Sequence, residues 1–225
     1  MKGILFDLDG TLLDIDGEAF LERYLDALAP YLRPDMDPDA FRGKVMAAAL
    51  PLITSDHLQG TVGDTFRAAL ADRLELPAAE VADGQRRLDS ALGDVVAIPH
   101  APRTTARLCV DAALDAGMRC AVATTPIYRP AVIHRRLTWA GLADYPWALV
   151  TTSENMHSCK PSPGYFREAA AKLGLQPADC IMVGDDPYQD GPSDEAGMRF
   201  HLVQGEAGWA ELLVELAAQR VPMWS

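Results

Sequence analysis

The second half of the chain alternates between two patterns of apolar residues, and this alternation is the strongest constraint on its fold. Stretches with apolar residues at helical spacing stop at Gly117, Gly141 and Gly174, and a short apolar run follows each of them. The predicted helices span residues 102–117, 129–140, 163–173 and 206–219, and the predicted strands span 119–124, 147–152, 180–184 and 200–203. With the apolar run that opens the chain, this pattern predicts an α/β fold with a doubly wound, Rossmann-like parallel sheet of about five strands.

Residues 15–98 lack strand-like runs and show helical patterns separated by prolines. The helical patterns cover residues 19–28, 41–50, 62–74 and 78–92, and the expected breaks are Pro30, Pro34, Pro38, Pro51 and Pro77. We therefore expect an all-helical cap domain at 15–98, inserted into a core domain formed by residues 1–14 and 99–225. Because the insertion leaves the sheet at the carboxyl end of the first strand, it is expected to cover the crevice there.

The composition of the 225-residue chain limits its partners. A net charge of −12 argues against a broad surface for nucleic acid or anionic membranes, although a bound cation can reverse the field locally for an anionic small molecule. No apolar run approaches the length of a membrane span. The four cysteines lie far apart without a Cys-x-x-Cys pair, which predicts reduced thiols and a cytoplasmic protein. No sequence feature indicates an oligomeric state.

Two carboxylates, Asp7 and Asp9, stand at the end of the first apolar strand and are followed by Gly10. Residues i and i+2 of an extended chain point to the same side, so both side chains can address one small volume. Crowded anions favour a bound divalent metal, with one carboxylate left for nucleophilic or acid–base chemistry. A solvated turn is the competing interpretation, whereas a calcium loop is disfavoured because Leu12 stands where that loop needs glycine.

Hydroxyl and cationic side chains follow the next two predicted strands. Thr124 and Thr125 follow the strand at 119–124, where hydroxyl groups and free backbone amides suit a phosphate oxygen. Taken alone, the same residues are more typical of a helix cap. Lys160 precedes Pro161 beyond the strand at 147–152, so a stiff turn would direct its positive charge toward phosphate and a nucleophile.

Three further carboxylates, Asp185, Asp186 and Asp190, follow the strand that ends at Gly184. The carboxyl ends of parallel strands meet at one edge of a sheet, so these acids are expected beside Asp7. Five acids with a single lysine repel one another unless a hard divalent cation is bound, and carboxylate oxygens favour Mg²⁺. The sequence therefore predicts a magnesium site at this edge.

Four segments resemble, in order and spacing, the four motifs of the haloacid dehalogenase (HAD) superfamily. They are Asp7-Leu8-Asp9-Gly10-Thr11, Thr124 after the second strand, Lys160 before a proline, and Gly184-Asp185-Asp186 with Asp190. The resemblance covers residues 1–14 and 100–205, and the helical insertion resembles the cap of the superfamily in position and type. It implies a HAD-like hydrolase of the phosphatase-like branch.

The resemblance also implies a role for each motif residue. Asp7 would be the nucleophile that forms an aspartyl-phosphate, and Asp9 would be the general acid and base. Mg²⁺ would be held by Asp7, the backbone carbonyl of Asp9 and one acid of the last motif, with the choice between Asp185 and Asp186 left open. The other implied site residues are the phosphate-binding Thr124, Thr125 and Lys160 and the supporting Asp190, Gly10 and Thr11.

The implied activity is magnesium-dependent hydrolysis of a small phosphorylated metabolite. Dehalogenation is disfavoured because dehalogenase relatives lack an aspartate at the position of Asp9. Two alternatives remain, namely a phosphomutase with the same four motifs and a catalytically silent HAD-fold protein that binds or regulates. Candidate substrate contacts in the cap are Arg42, Lys44, His57 and Arg67, and residues expected in its small core include Met36 and Met46.

Overall fold

The computed structural model describes residues 1–53, 55, 58–96 and 98–219, and the candidate substrate contact His57 lies outside this part of the chain. The strands are β1 (Gly3–Phe6), β2 (Leu13–Ile15), β3 (His100–Pro102), β4 (Arg119–Val122), β5 (Leu149–Val150), β6 (Cys180–Gly184) and β7 (Arg199–Leu202). The helices are α1 (Gly17–Leu32), α2 (Pro38–Ile53), α3 (Val62–Leu74), α4 (Ala78–Val95), α5 (Thr104–Asp115), α6 (Pro130–Trp139), α7 (Pro163–Lys172) and α8 (Gly205–Ala218). Within the described ranges, no helix is long and apolar enough to cross a lipid bilayer.

Five parallel strands form the core sheet in the order β5-β4-β1-β6-β7. The central strand β1 pairs on both sides, with Phe6 level with Val122 of β4 and Val183 of β6. Ile4 and Phe6 pack on the face covered by α5 and α8, and Leu5 packs on the opposite face with α7. Burial on both faces explains why the opening strand is apolar without interruption. The expected doubly wound parallel sheet is confirmed.

Helices α1–α4 occupy the interval where a helical insertion is expected, and α1 packs on α4 while α2 packs on α3. Two of the expected helix breaks are wrong, because Pro30 lies inside α1 and Pro51 lies inside α2. Each proline deprives the carbonyl four residues earlier of its amide donor. Those carbonyls belong to Asp26 and Ala47, which are exposed, so water can solvate them and the helices continue. The division into core and cap domains stays a prediction.

A small antiparallel sheet of β2 and β3 connects α1–α4 with the core, and the sequence pattern does not predict it. Leu13 pairs with Pro102 and Ile15 pairs with His100. Each strand has only three residues, which is too short for a periodic pattern to be recognised. The pairing brings β2, where the chain leaves the core sheet, beside β3, where it returns to that sheet.

Candidate active site

Polar side chains gather at the carboxyl-terminal edge of the core sheet. Asp7 directly follows β1, and its backbone amide donates to the Val183 carbonyl at 2.9 Å, which continues the pairing with β6. Thr124 lies two residues beyond β4, and Asp185 directly follows β6. Asp7, Thr124 and Asp185 all line one cavity, so the sheet brings together three of the four sequence motifs there.

Lys160 completes this arrangement by lying between Asp7 and Asp190. Its Nζ is 2.7 Å from Asp7 Oδ1 and 2.6 Å from Asp190 Oδ1, and its side chain is only 1% exposed. Burial alone lowers the pKa of Lys160, but the charges of Asp190 and Asp7 outweigh burial and raise that pKa. The ammonium group therefore remains charged and fixes the position of the Asp7 carboxylate.

The carboxylates of Asp7, Asp185 and Asp190 form a group that fits a hard divalent cation. One oxygen from each residue lies within 4.8 Å of the others. The second oxygen of Asp190, Oδ2, is buried and has no hydrogen-bond partner in the described part of the chain. Three carboxylates outnumber the single Lys160 ammonium, and oxygen ligands of this kind are those that Mg²⁺ prefers. The residues present therefore suit the cation that the sequence implies.

The environment of Asp185 depends on the first motif. Thr11 Oγ1 donates to Asp185 Oδ1 at 2.7 Å, and this bond counteracts the burial that raises the Asp185 pKa. Gly10 has φ +80°, and a Cβ atom at this position would overlap the Asp185 carboxylate. In Asp190, burial raises the pKa and the adjacent Lys160 opposes the shift. Thr11 and Gly10 thus hold and accommodate one acid of the candidate metal site.

Asp186 lies outside the carboxylate group, although the sequence analysis includes it among the candidate metal ligands. Its side chain is exposed, and its Oδ1 accepts hydrogen bonds from the backbone amides of Tyr188 at 2.8 Å and Gln189 at 3.3 Å. A carboxylate that caps its own turn in this way stabilises loop geometry. Of the two adjacent acids, Asp185 is therefore the one positioned with Asp7.

Thr124 and Thr125 both line the cavity beside these carboxylates. The backbone carbonyl of Thr124 accepts hydrogen bonds from Thr151 Oγ1 at 2.8 Å and from the Tyr165 hydroxyl at 2.9 Å. These two bonds fix the turn after β4. The Thr124 hydroxyl makes no hydrogen bond to any residue that the structure describes, so it remains available to an oxygen in the cavity.

Asp9 has a partner that the sequence analysis missed. Arg136 of α6 has a fully buried side chain, and its Nη1 donates to Asp9 Oδ2. The guanidinium carbon lies 4.4 Å from the ring centroid of Tyr128 and 5.0 Å from that of Phe20. Burial raises the pKa of Asp9, and the charge of Arg136 opposes this shift. Arg136 therefore holds the Asp9 carboxylate in place and counteracts the effect of burial on the Asp9 pKa.

The pattern of α6 contains a signal that identifies Arg136. The buried face of this helix consists of Val132, Ile133 and Leu137, and Arg136 lies among them at helical spacing. Arginine is rarely buried without a partner, so an arginine on an apolar helix face indicates a buried carboxylate nearby. The motifs at the strand ends do not include Arg136, so they give this residue no role.

A cavity of about 700 Å³ lies above the edge of the sheet and is lined from the other side by α1, α2 and α3. Among the described residues, Arg42, Lys44 and Arg67 do not line it, although the sequence makes them candidate substrate contacts. Their side chains bind other residues of the helical insertion instead. Arg42 lies 2.9 Å from the Asp26 carboxylate, Lys44 donates to the Arg73 carbonyl at 2.6 Å, and Arg67 donates to the Asp64 carboxylate at 3.0 Å. Met46 is 49% exposed and lines the cavity, so its expected position in a small core is wrong.

Comparison with known proteins agrees with this geometry. The profile of the haloacid dehalogenase-like hydrolase family matches residues 1–193. The phosphoglycolate phosphatase of Xylella fastidiosa is 28% identical over 206 residues, which cover 88% of this chain and 77% of the relative. The N-acetylmuramic acid 6-phosphate phosphatase of Pseudomonas putida is 25% identical over 204 residues, which cover 91% of this chain and 83% of the relative.

Solved structures share the same fold. The crystal structure of a HAD phosphatase from Thermococcus onnurineus superposes with a TM-score of 0.57 at 21% sequence identity, covering 98% of this chain and 100% of that protein. The family match includes all four motifs, from Asp7 to Asp190. The chain therefore belongs to the haloacid dehalogenase-like hydrolases, in the phosphatase-like branch of the HAD superfamily.

Proposed function

We propose that this protein is a magnesium-dependent phosphatase that hydrolyses a small phosphorylated metabolite through an aspartyl-phosphate on Asp7. The observation that supports this proposal most directly is the buried Lys160 ammonium, which bridges Asp7 and Asp190 within a group of carboxylates. The names of the phosphoglycolate phosphatase and the N-acetylmuramic acid 6-phosphate phosphatase that resemble this chain indicate that these relatives act on phosphate monoesters. Asp7, the Asp9 backbone carbonyl and Asp185 would hold Mg²⁺, which neutralises charge on the transferring phosphoryl group when bound.

Phosphoryl transfer proceeds in two steps in this proposal. An Asp7 carboxylate oxygen forms a bond to phosphorus while the bond from phosphorus to the ester oxygen breaks, and Asp9 gives its proton to the leaving alkoxide. Asp9 then takes a proton from water, whose oxygen attacks phosphorus and releases Asp7 and inorganic phosphate. Lys160 and the Thr124 hydroxyl bind the phosphoryl oxygens during both steps.

The surroundings of Asp9 suit its exchange of a proton. Burial raises the pKa of Asp9, which favours the protonated form that the first step requires. The opposing charge of Arg136 keeps the ionised form accessible for the second step. General acid catalysis matters most for a leaving group of high pKa, so Asp9→Asn should impair an alkyl phosphate more than 4-nitrophenyl phosphate.

The test is release of phosphate from 4-nitrophenyl phosphate and from an alkyl phosphate, with and without Mg²⁺. Asp7→Asn should abolish turnover of both esters, and removal of Mg²⁺ with a chelator should do the same. Asp185→Asn should raise the Mg²⁺ requirement about 10-fold or more, and the matched neighbour Asp186→Asn should leave it within about twofold. Full activity of Asp7→Asn would contradict the nucleophile assignment, and isomerisation without phosphate release would indicate a mutase.

The same proposal includes a cytoplasmic location. Cys109, Cys120, Cys159 and Cys180 are buried free thiols. Burial raises the pKa of Cys109 to about 12, and it does the same for Cys120 and Cys159, so these thiols stay protonated and resist oxidation. Reduced, buried cysteines are typical of proteins in a reducing compartment.

A further inference from the structure

The wall of the cavity that faces the candidate active site is apolar. Leu21 and Leu25 of α1 contribute to it at helical spacing, and so do Met46, Ala49 and Ile53 of α2. Met46 is 49% exposed and Ile53 is 38% exposed, so both side chains are accessible to a molecule in the cavity. The cavity volume of about 700 Å³ is far larger than a phosphate group needs and is typical of a site that holds an organic molecule.

Cationic side chains are scarce among the described residues that line this cavity. Arg129 is the single lysine or arginine among the described residues that line it. Its Nε is 2.6 Å from Asp89 Oδ2, and its Nη1 is 3.2 Å from Glu154 Oε1, so two carboxylates already balance its charge. Glu18, by contrast, adds a negative charge to the lining. Among the described residues, a second anionic group on a substrate would therefore meet carboxylates without an unpaired cation to neutralise it.

A neutral amide side chain interrupts the apolar wall. Gln85 of α4 lines the cavity and is only 6% exposed. Its side-chain amide makes no hydrogen bond to any residue in the described ranges, and its nitrogen and oxygen are not among the polar atoms that are buried without a partner, so the amide is accessible. An amide can donate two hydrogen bonds and accept others, so this side chain can bind a polar group of a molecule in the cavity. A bound molecule with one hydroxyl or carbonyl group near Gln85 would satisfy it.

We propose that the leaving group of the substrate is an uncharged, mainly apolar alcohol with one neutral hydrogen-bonding group. The substrates of this enzyme are then phosphate monoesters of such alcohols, rather than phosphorylated carboxylic acids or bisphosphates. This inference rests on the proposed function, because it assumes that the phosphate group occupies the carboxylate site beside Asp7. It also separates this chain from its phosphoglycolate phosphatase relative, since phosphoglycolate carries a carboxylate close to its phosphate.

The experiment compares kcat/KM for hexyl phosphate with that for 6-phosphohexanoate, which differs by a terminal carboxylate. We expect hexyl phosphate to be preferred by about 10-fold or more, as is typical when a charge must enter an apolar pocket. Phosphoglycolate should be a poorer substrate than hexyl phosphate. A preference for either carboxylated ester over hexyl phosphate would overturn the inference.

Two variants test which wall of the cavity sets the preference. Met46→Lys places a cation in the cavity lining and should reduce the preference for hexyl phosphate about 10-fold. Leu50→Lys is the matched control, because Leu50 is an exposed residue of the same helix that does not line the cavity. The Leu50→Lys enzyme should prefer hexyl phosphate as strongly as the wild type does. If both lysines reduced the preference equally, the added charge would act from a distance. That result would overturn the inference that the apolar wall contacts the leaving group.

A third variant tests the amide. 6-Hydroxyhexyl phosphate adds one neutral hydrogen-bonding group to hexyl phosphate, and wild-type enzyme should prefer the hydroxylated ester. Gln85→Leu should remove that preference, lowering kcat/KM for the hydroxylated ester about 10-fold relative to kcat/KM for hexyl phosphate. An unchanged preference in Gln85→Leu would contradict the role of this side chain.

A binding measurement separates this inference from the proposed function. Hexylphosphonate and 5-carboxypentylphosphonate cannot be hydrolysed at a phosphate ester, so their affinities can be measured by calorimetry whether or not the protein turns over. Weaker binding of the carboxylated phosphonate would support the apolar cavity even if 4-nitrophenyl phosphate were not hydrolysed, in which case only the proposed function would fail. Hydrolysis of 4-nitrophenyl phosphate with tighter binding of the carboxylated phosphonate would leave the function intact and refute the inference.

Discussion

Replacing Arg136 with methionine tests the physical account of the Asp9 site most stringently. The Arg136 side chain is fully buried, its Nη1 donates to Asp9 Oδ2, and it lies over the rings of Tyr128 and Phe20. Methionine fills a similar length of apolar space but leaves the carboxylate without its cation. The variant therefore removes one partner of a buried pair with little change in packing.

The magnitude follows from the burial of the two partners. Removal of one member of a buried ion pair typically costs about 3–5 kcal/mol in the free energy of unfolding. The Asp9 side chain is 23% exposed and can take up a proton, so the lower end of that range applies. We expect a loss of about 3 kcal/mol for Arg136→Met at pH 7, which lowers the urea midpoint by about 1.5 M if m is about 2 kcal/mol/M.

The loss should depend on pH. Burial raises the pKa of Asp9 in the folded protein, and the Arg136 charge limits the rise, so Arg136→Met raises that pKa further. A carboxyl group whose pKa is raised on folding destabilises the protein as the pH increases through the folded-state value. Arg136→Met should therefore be more destabilising at pH 7 than near the ordinary carboxyl pKa, where Asp9 is protonated in the folded state.

A double-mutant cycle of Arg136→Met with Asp9→Asn measures the coupling energy between the two side chains. Each variant is unfolded with urea at pH 7 and at a pH near the ordinary carboxyl pKa. Asp9→Asn alone leaves a guanidinium that cannot lose its proton, so it is also destabilising. The double variant should be more stable than the sum of the single losses by about 2 kcal/mol. Arg135→Met is the control, because Arg135 is exposed on the same helix and should change stability by no more than about 0.5 kcal/mol. Additive losses, or equal losses at the two pH values, would show that Arg136 and Asp9 do not form a coupled buried pair.

Three other substitutions test the remaining contacts. Lys160→Met removes the cation between two carboxylates, and we expect kcat for 4-nitrophenyl phosphate to fall by about 10²-fold or more, as measured by steady-state assay. Thr11→Val removes the 2.7 Å hydrogen bond to Asp185, so the Mg²⁺ concentration for half-maximal activity should rise about 10-fold, and an unchanged value would exclude a supporting role. Gly63→Val places a Cβ atom 2.9 Å from the Ser153 backbone oxygen and disturbs the 2.6 Å hydrogen bond from the Gly63 amide. We therefore expect KM to rise about 10-fold and the free energy of unfolding, measured with urea, to fall by about 1–3 kcal/mol.

The positions of the main elements could be predicted because local rules decide them. Gly117, Gly141 and Gly174 have positive φ values and follow helices α5, α6 and α7, as their place after helical patterns indicates. The strand β1 could be recognised because burial on both faces requires an uninterrupted apolar run. In contrast, β2 and β3 are too short to carry a pattern, and their pairing depends on contact between residues far apart in the chain.

The effect of proline also depends on where a helix lies. Pro30 and Pro51 interrupt the helical pattern in the sequence, but they lie inside α1 and α2 because the carbonyls they leave unpaired belong to exposed residues. The sequence does not show which side of each helix faces solvent. Proline by itself therefore did not determine the ends of these helices.

The sequence was enough to predict that Asp7, Thr124, Lys160 and the last acidic motif lie close together, because parallel strands present their carboxyl ends at one edge of a sheet. The tertiary structure groups Asp185 rather than Asp186 with Asp7, since adjacent residues of a turn point in different directions, and Asp185 as the metal ligand stays a prediction. It also brought Arg136 to Asp9, a contact across 127 positions of the chain that depends on how α6 packs. Local periodicity specifies where a strand ends, whereas the direction of a side chain and its distant partners are set by packing.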